Sequence, residues 1–161
     1  MYILNSTITN VNSNSCSSNK NKGIYVSKSK ISNIKSNKLN SNKSNGLYMY
    51  SSTIKTCSSN SIKSNTSHGL YAYKMKMTSL NSNSVSGSRY NGVFVNASTI
   101  TNIKSNKVSS SKENGIYIKA KSKIKYLYSN KVSSSKKKAI YIYKSTVSKI
   151  KSNSGKVVKK K

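Results

Sequence analysis

Gly23-Ile24-Tyr25-Val26 is written again as Gly46-Leu47-Tyr48-Met49, Gly69-Leu70-Tyr71-Ala72, Gly92-Val93-Phe94-Val95, Gly115-Ile116-Tyr117-Ile118 and Ala139-Ile140-Tyr141-Ile142. The steps are 23, 23, 23, 23 and 24 residues. A fixed period in this range marks a stacked-repeat architecture. Such a repeat dictates shape, and chemistry is to be sought where it is broken.

Alignment on this period turns the chain into columns. One reads Ile8, Ile31, Ile54, Met77, Ile100, Ile124 and Val147, and another, three residues on, Val11, Ile34, Cys57, Leu80, Ile103, Leu127 and Ile150. A third runs Cys16, Leu39, Ile62, Val85, Val108 and Val132. The Ile and Val of the opening phrase lie two residues apart and so share one face of a strand. The apolar residues lack helical i, i+3, i+4, i+7 spacing, and Ser and Asn fill the gaps. Each repeat therefore holds three short strands joined by polar turns. Three strands per turn predict an all-β chain, a parallel β-helix solenoid of about 23 residues per coil and six to seven coils. At about 4.8 Å per strand the rod is about 30 Å long, and every column is a physical ladder. Residues 1–154 are read as one domain and residues 155–161 as a basic C-terminal tail that leaves the repeat. The single extra residue falls near Lys121 to Lys123, where a loop can absorb it.

Between the second and third columns runs an unbroken Ser-Asn pair. Its Asn14, Asn37, Asn60, Asn83, Asn106, Asn130 and Asn153 predict a structural amide ladder along the axis. The same Asn is also expected to tolerate a left-handed turn. Gly before the strand reads as a conformationally permissive corner, with Ala139 as the exception.

The phrase Gly-Ile-Tyr-Val, followed by Ile-x-Asn-Ile and Ser-Asn, resembles the parallel β-helix repeat of the pectin-lyase-like superfold from Met1 to about Ser154. That superfold includes NosD-like and surface-adhesin β-helices. The resemblance implies a right-handed coil, inward Asn ladders and, by analogy, an extracellular or cell-surface setting. It carries no activity, because fold does not imply function.

Composition alone would suggest disorder. Hydrophobic residues reach only 34%, Lys, Ser and Asn dominate, and there is no Pro or Trp. Periodic placement overrules this, since stacked repeats cover each other's apolar residues. Net charge is +29, with Glu113 the only acid. That surface attracts polyanions, and the choice of Lys, Asn, Ile and Tyr also suggests AT-rich coding. Cys16 and Cys57 lie two repeats apart, or about 9.6 Å along the axis. A disulfide needs Cα atoms within about 7 Å, so both read as small core residues. No apolar run is long enough for a membrane span, and no signal peptide is visible.

Two columns bear on function. Tyr25, Tyr48, Tyr71, Phe94, Tyr117 and Tyr141 alternate with inward residues, and Tyr50, Tyr73 and Tyr143 lie two residues beyond three of them. An exposed aromatic strip is expected. It either stacks on itself and stiffens the sheet, or offers a platform to sugar rings or nucleobases. Lys20, Lys43, Arg89, Lys112 and Lys136 form a basic column before the Gly, suited to a polyanion.

Catalysis has few residues to use. There is no Asp, and glycoside hydrolysis generally needs two carboxylates. His68 replaces the Asn or Lys that precedes Gly in most other repeats and reads as a substitution. Glu113 and Arg89 share a turn and make at most a weak pair. One His and two separate Cys make no metal site, so the copper of NosD-like proteins has no residues to carry it. Thr7-Ile8-Thr9 and Thr99-Ile100-Thr101 resemble the Thr-x-Thr of ice-binding solenoids. The intervening coils put Lys, Ser or Met there, which spoils a flat face.

The expected function is that of a non-enzymatic, structural or adhesive β-helix whose Tyr/Lys face binds acidic polysaccharide or another polyanion, with no cofactor. Two alternatives remain. One is a fragment or degenerate copy of a pectin-lyase-like carbohydrate-active enzyme. The other is a basic protein that holds nucleic acid by non-specific charge. No capping repeat is visible, so exposed end strands invite end-to-end association.

Overall fold

A computed structural model describes residues 1–161 and contains no helix. A representative coil runs through the strands Leu47–Tyr50, Thr53–Ser58 and Ser61–Lys63 before Leu70 begins the next. Like strands stack in parallel into three sheets of eight, seven and four strands. We call them the tyrosine sheet, the long-strand sheet and the short-strand sheet. Isolated bridges at Ser15–Lys38, Lys38–Ser61 and Lys131–Ser154 carry the third along the rest of the rod. The register is one coil throughout, as in Tyr25↔Tyr48↔Tyr71 and Ile31↔Ile54↔Met77. The expected solenoid of 23 residues and three strands per coil is thus present, with about seven turns.

The apolar columns meet in one continuous core of 31 buried residues, with Ile150 of the last coil left exposed. Cys57 lies inside that core and Cys16 at its edge, both as free thiols. Burial pushes the Cys57 thiol up to about 12.

Each coil turns three corners, each typically on a residue in the left-handed region. One set is Lys28, Ser51 and Lys74, with φ of 48°, 44° and 54°. A second is Ser36, Ser59 and Ser82 at 57°, 54° and 55°, and a third Ser41, Ser64 and Gly87 at 56°, 53° and 64°. In the Ser-Asn pair it is therefore Ser, not Asn, that adopts the left-handed conformation. The reason is division of labour: Asn must face inward to reach its ladder, which leaves the solvent-facing Ser to turn the chain. The extra residue of the 24-residue step sits at the first kind of corner. There Ala120 and Lys121 are left-handed in succession, at 58° and 57°.

The Gly column corrects a second expectation. None of Gly23, Gly46, Gly69, Gly92 and Gly115 has positive φ. They are needed for space. A Cβ on Gly92 would stand 2.3 Å from Val108 Cγ1 and 2.8 Å from both the Gly115 carbonyl and Ser111 Oγ. Ala139 escapes this because the coil above it is cut short.

That short coil is a third correction. Residues 155–161 do not leave the repeat as a tail. Val157–Lys160 returns as the outermost strand of the tyrosine sheet, with Val157 beside Ile140 after only 17 residues. Gly155 turns the chain at φ 92°, and a Cβ there would meet the Ala139 methyl at 2.7 Å. Loss of the polar loop and the presence of Gly155 thus accommodate Ala139.

Candidate functional site

The Asn ladder runs the full length. Each Asn Nδ2 donates to the Oδ1 of the Asn one coil on, from 2.9 Å for Asn14–Asn37 to 2.8 Å for Asn130–Asn153. Each backbone N–H donates to the same oxygen, as from Asn60 to Asn83 at 3.1 Å. From Asn37 onward Nδ2 also reaches a strand carbonyl, for example Asn83 to Cys57 O at 3.1 Å. These amides are buried and occupied, which makes the ladder structural.

Two further ladders run beside it. Asn19, Asn42 and Asn65 form a second amide row, with Asn42 Nδ2 to Asn65 Oδ1 at 3.0 Å. It stops there, because the next coils carry Ser88, Ser111 and Ser135, whose buried hydroxyls have no partner. A hydroxyl row passes through Ser29, Ser52, Ser98 and Ser122 and receives backbone N–H groups one coil away. Fixed spacing was the available signal; replacement of Asn by Ser hid it in the second row.

His68 belongs to a third side-chain row just before the Gly column. Asn114 donates to Asn91 Oδ1, and Asn91 N–H donates to His68 Nδ1 at 3.1 Å. His68 N–H in turn donates to Asn45 Oδ1. The imidazole therefore stands in for an Asn acceptor and is held as the Nε2–H tautomer. Its ring centroid lies 4.7 Å from Phe94 and 5.3 Å from Tyr71. Burial lowers its pKa to about 4, against the opposing pull of Glu113.

The aromatic column is real, but it is not an open platform. Tyr25–Tyr48, Tyr48–Tyr71, Tyr71–Phe94, Phe94–Tyr117 and Tyr117–Tyr141 stack at 4.6–5.3 Å with interplanar angles of 12–23°. Ring faces are consumed by neighbouring rings, so these side chains are half-buried and Phe94 is buried. Edges and phenol oxygens remain for solvent. Tyr50 and Tyr73 form a second stack at 5.4 Å, and Tyr143 lies 6.1 Å from Tyr141. Burial raises Tyr48 to about 12, and its phenol neighbours, Tyr71 foremost, push the same way. Tyr117 is raised for the same reasons, with Tyr141 the leading neighbour.

The cations that touch these rings are not the predicted column. Lys22 lies 5.3 Å from the Tyr25 centroid, Lys119 5.3 Å from Phe94, Lys74 5.3 Å from Tyr73 and Lys144 5.4 Å from Tyr143. Lys20, Lys43, Arg89, Lys112 and Lys136 do lie in one backbone column, interrupted by Thr66 between Lys43 and Arg89, and all are exposed. Glu113 pairs with Lys137 at 2.8 Å rather than with Arg89, because Lys137 stands one coil above it. Near the last coils the two columns meet. Tyr117 and Tyr141 line a cavity of about 500 Å³ with Lys136, Lys137, Lys138 and Lys160, and Glu113 is its single acid.

One family model, described as periplasmic copper-binding protein (NosD), matches residues 1–78 and 67–156. The chain belongs to the NosD family. NosD proteins form a right-handed β-helix family. The family's name includes copper binding, but the donors here do not fit it. No three His, Cys, Asp or Glu side chains gather anywhere in this NosD chain. Cys57 is buried as a thiol with Asn60 donating to its sulfur, and His68 Nδ1 is taken by Asn91. Copper sites use thiolate, thioether and imidazole ligands in convergent sets. Comparison with curated proteins and with solved structures gave no significant match.

Proposed function

We propose that this NosD-family chain is a non-enzymatic β-helical module that binds acidic polysaccharide through its tyrosine sheet and the adjoining lysine loops. The observation that carries the reading is the cavity over Tyr117 and Tyr141, where Lys136, Lys137, Lys138 and Lys160 converge around one carboxylate. Glu113 neutralises one lysine, so the cavity keeps a net positive charge. An anionic sugar placed there meets ammonium groups for its carboxylate and phenol edges for its hydroxyls, both as hydrogen-bonding partners. Ring-face stacking supplies nothing, because the faces are already used.

A second, compatible role rests on those stacked faces. An unbroken pile of rings from Tyr25 to Tyr141 stiffens the sheet, with each offset pair contributing about 0.5–1.5 kcal/mol beyond burial. The ladder is thus a spine, and the lysine-lined cavity is the contact.

Titration of the full chain with polygalacturonate oligosaccharides at fixed salt tests the reading. Lys136→Gln with Lys138→Gln is expected to weaken binding about tenfold, and Lys107→Gln with Lys131→Gln, equal in charge and remote, only slightly. Equal effects of the two pairs reduce binding to bulk charge. Depolymerisation of the oligosaccharide would overturn the non-enzymatic assignment.

A further inference from the structure

A second surface lies on the long-strand sheet, on another side of the rod. Two elongated cavities of about 430 and 360 Å³ share Thr99 and Thr101, and together make one trough through most of the coils. Its walls are residues two apart on each strand, so it is about 7 Å wide, which fits a single polymer chain. One wall alternates without a break: Lys30, Thr53, Lys76, Thr99, Lys123 and Thr146 stand coil above coil. The facing wall is mostly hydroxyl, at Ser32, Thr78, Thr101 and Ser148, with Lys55 and Lys125 among them.

The alternation sets a charge spacing. Lys30, Lys76 and Lys123 are exposed and contact neither a carboxylate nor an aromatic ring. They recur every second coil, or about 9.6 Å along the axis. Between them Thr53 and Thr99 offer hydroxyls on this wall; the pair Thr99 and Thr101 makes an uncharged step, while Lys55 stands across from Thr53 as the one cation out of phase. Two pyranose rings joined in an extended chain span about that distance. Nucleic acid fits poorly: a duplex is far wider than the trough, and the trough has no open ring faces on which the bases of a single strand could stack.

We propose that this trough binds a linear acidic polysaccharide along the solenoid axis, selecting chains whose carboxylates fall on alternate sugars. The inference rests on the acidic-polysaccharide reading above but places a second, spacing-selective contact on a different sheet. Lysine ammoniums pair with the uronic acid carboxylates, and threonine hydroxyls meet the neutral sugar between them.

The test compares hyaluronan oligosaccharides, charged on every second sugar, with polygalacturonate oligosaccharides of equal charge number. The full chain is measured beside the triple variant Lys30→Gln, Lys76→Gln and Lys123→Gln. A control triple, Lys63→Gln, Lys107→Gln and Lys131→Gln, removes the same charge from the short-strand sheet. The expected result is preference for hyaluronan by about tenfold, lost in the trough variant and kept in the control. Preference for polygalacturonate, or equal losses in both triples, overturns the proposal. The Lys136→Gln, Lys138→Gln pair separates the two surfaces. If it abolishes binding while the trough triple does nothing, only the trough falls. If the trough triple alone matters, the tyrosine-sheet assignment falls and the trough stands. Salt-sensitive binding of duplex DNA equal to that of hyaluronan, unchanged in the trough triple, also overturns it.

Discussion

Asn91 donates its backbone N–H to Nδ1 of His68 at 3.1 Å, and that bond requires a neutral ring. The folded pKa is lowered to about 4, whereas the unfolded chain holds the ordinary 6.5. Above 6.5 both states are neutral and nothing is lost. As pH falls below 6.5 the unfolded chain takes up a proton that the folded chain refuses. Stability therefore drops from pH 6.5 to about 4, by about 3 kcal/mol at the low end. Thermal unfolding at pH 7 and pH 4 reads this directly. His68→Asn restores the row's usual acceptor and is expected to remove most of the drop; an undiminished drop would refute the assignment.

The second amide ladder invites completion. Ser88 and Ser111 are fully buried with unpaired hydroxyls, in the setting that Asn65 occupies one and two coils earlier. Ser88→Asn places Oδ1 within reach of the Asn65 amide, and Ser111→Asn extends the row. The double change should stabilise by about 1–2 kcal/mol, or about 2–4 °C in melting temperature per kcal/mol. Asn60→Ser in the complete ladder should cost at least as much, since it strands buried partners.

Gly92 and Gly87 separate space from backbone freedom. Gly92 has ordinary φ but no room, so Gly92→Ala should cost about 1–3 kcal/mol through overpacking. Gly87 has φ +64° and its nearest contacts are at 3.4 Å, so Gly87→Ala should cost about 1 kcal/mol through conformation alone. Chemical denaturation of both variants checks the order. A larger loss for Gly87→Ala would reverse our account of the Gly column.

Tyr71 tests the spine. It stacks on Tyr48 at 5.0 Å and on Phe94 at 4.6 Å, and its oxygen accepts one bond from Asn96. Tyr71→Phe keeps both stacks and should lose about 1 kcal/mol or less. Tyr71→Ala breaks the pile in the middle and should lose about 3 kcal/mol. Similar melting temperatures for the two would show that stacking contributes little.

The solenoid was legible because one column in the text is one ladder in space. Asn14 through Asn153 and the apolar columns could be read directly for that reason. Other features depend on quantities a column does not carry. Spacing says that Tyr48 points outward, but not that its ring faces lie against Tyr25 and Tyr71. A recurring Gly is equally consistent with positive φ and with close approach; only the distances around Gly92 decide. The strand Val157–Lys160 follows its partner by 17 residues, outside the 23-residue period, so its place in the sheet has no column in the sequence. The trough occupies the Thr-x-Thr offsets of Thr7-Ile8-Thr9 and Thr99-Ile100-Thr101, where each Lys reads as a defect in a flat face; its alternating wall has a period of two coils, which no single coil displays.

The double left-handed corner at Ala120 and Lys121 has a consequence for descent. An extra residue enters there, yet Asn106 still meets Asn130 at 3.0 Å. Each coil answers only to the coils on either side, and its corners absorb small errors of length. Such a gene can gain or shed whole coils by unequal recombination, with the product remaining folded at every step. Rod length then becomes a heritable variable that selection can adjust without inventing a single new contact.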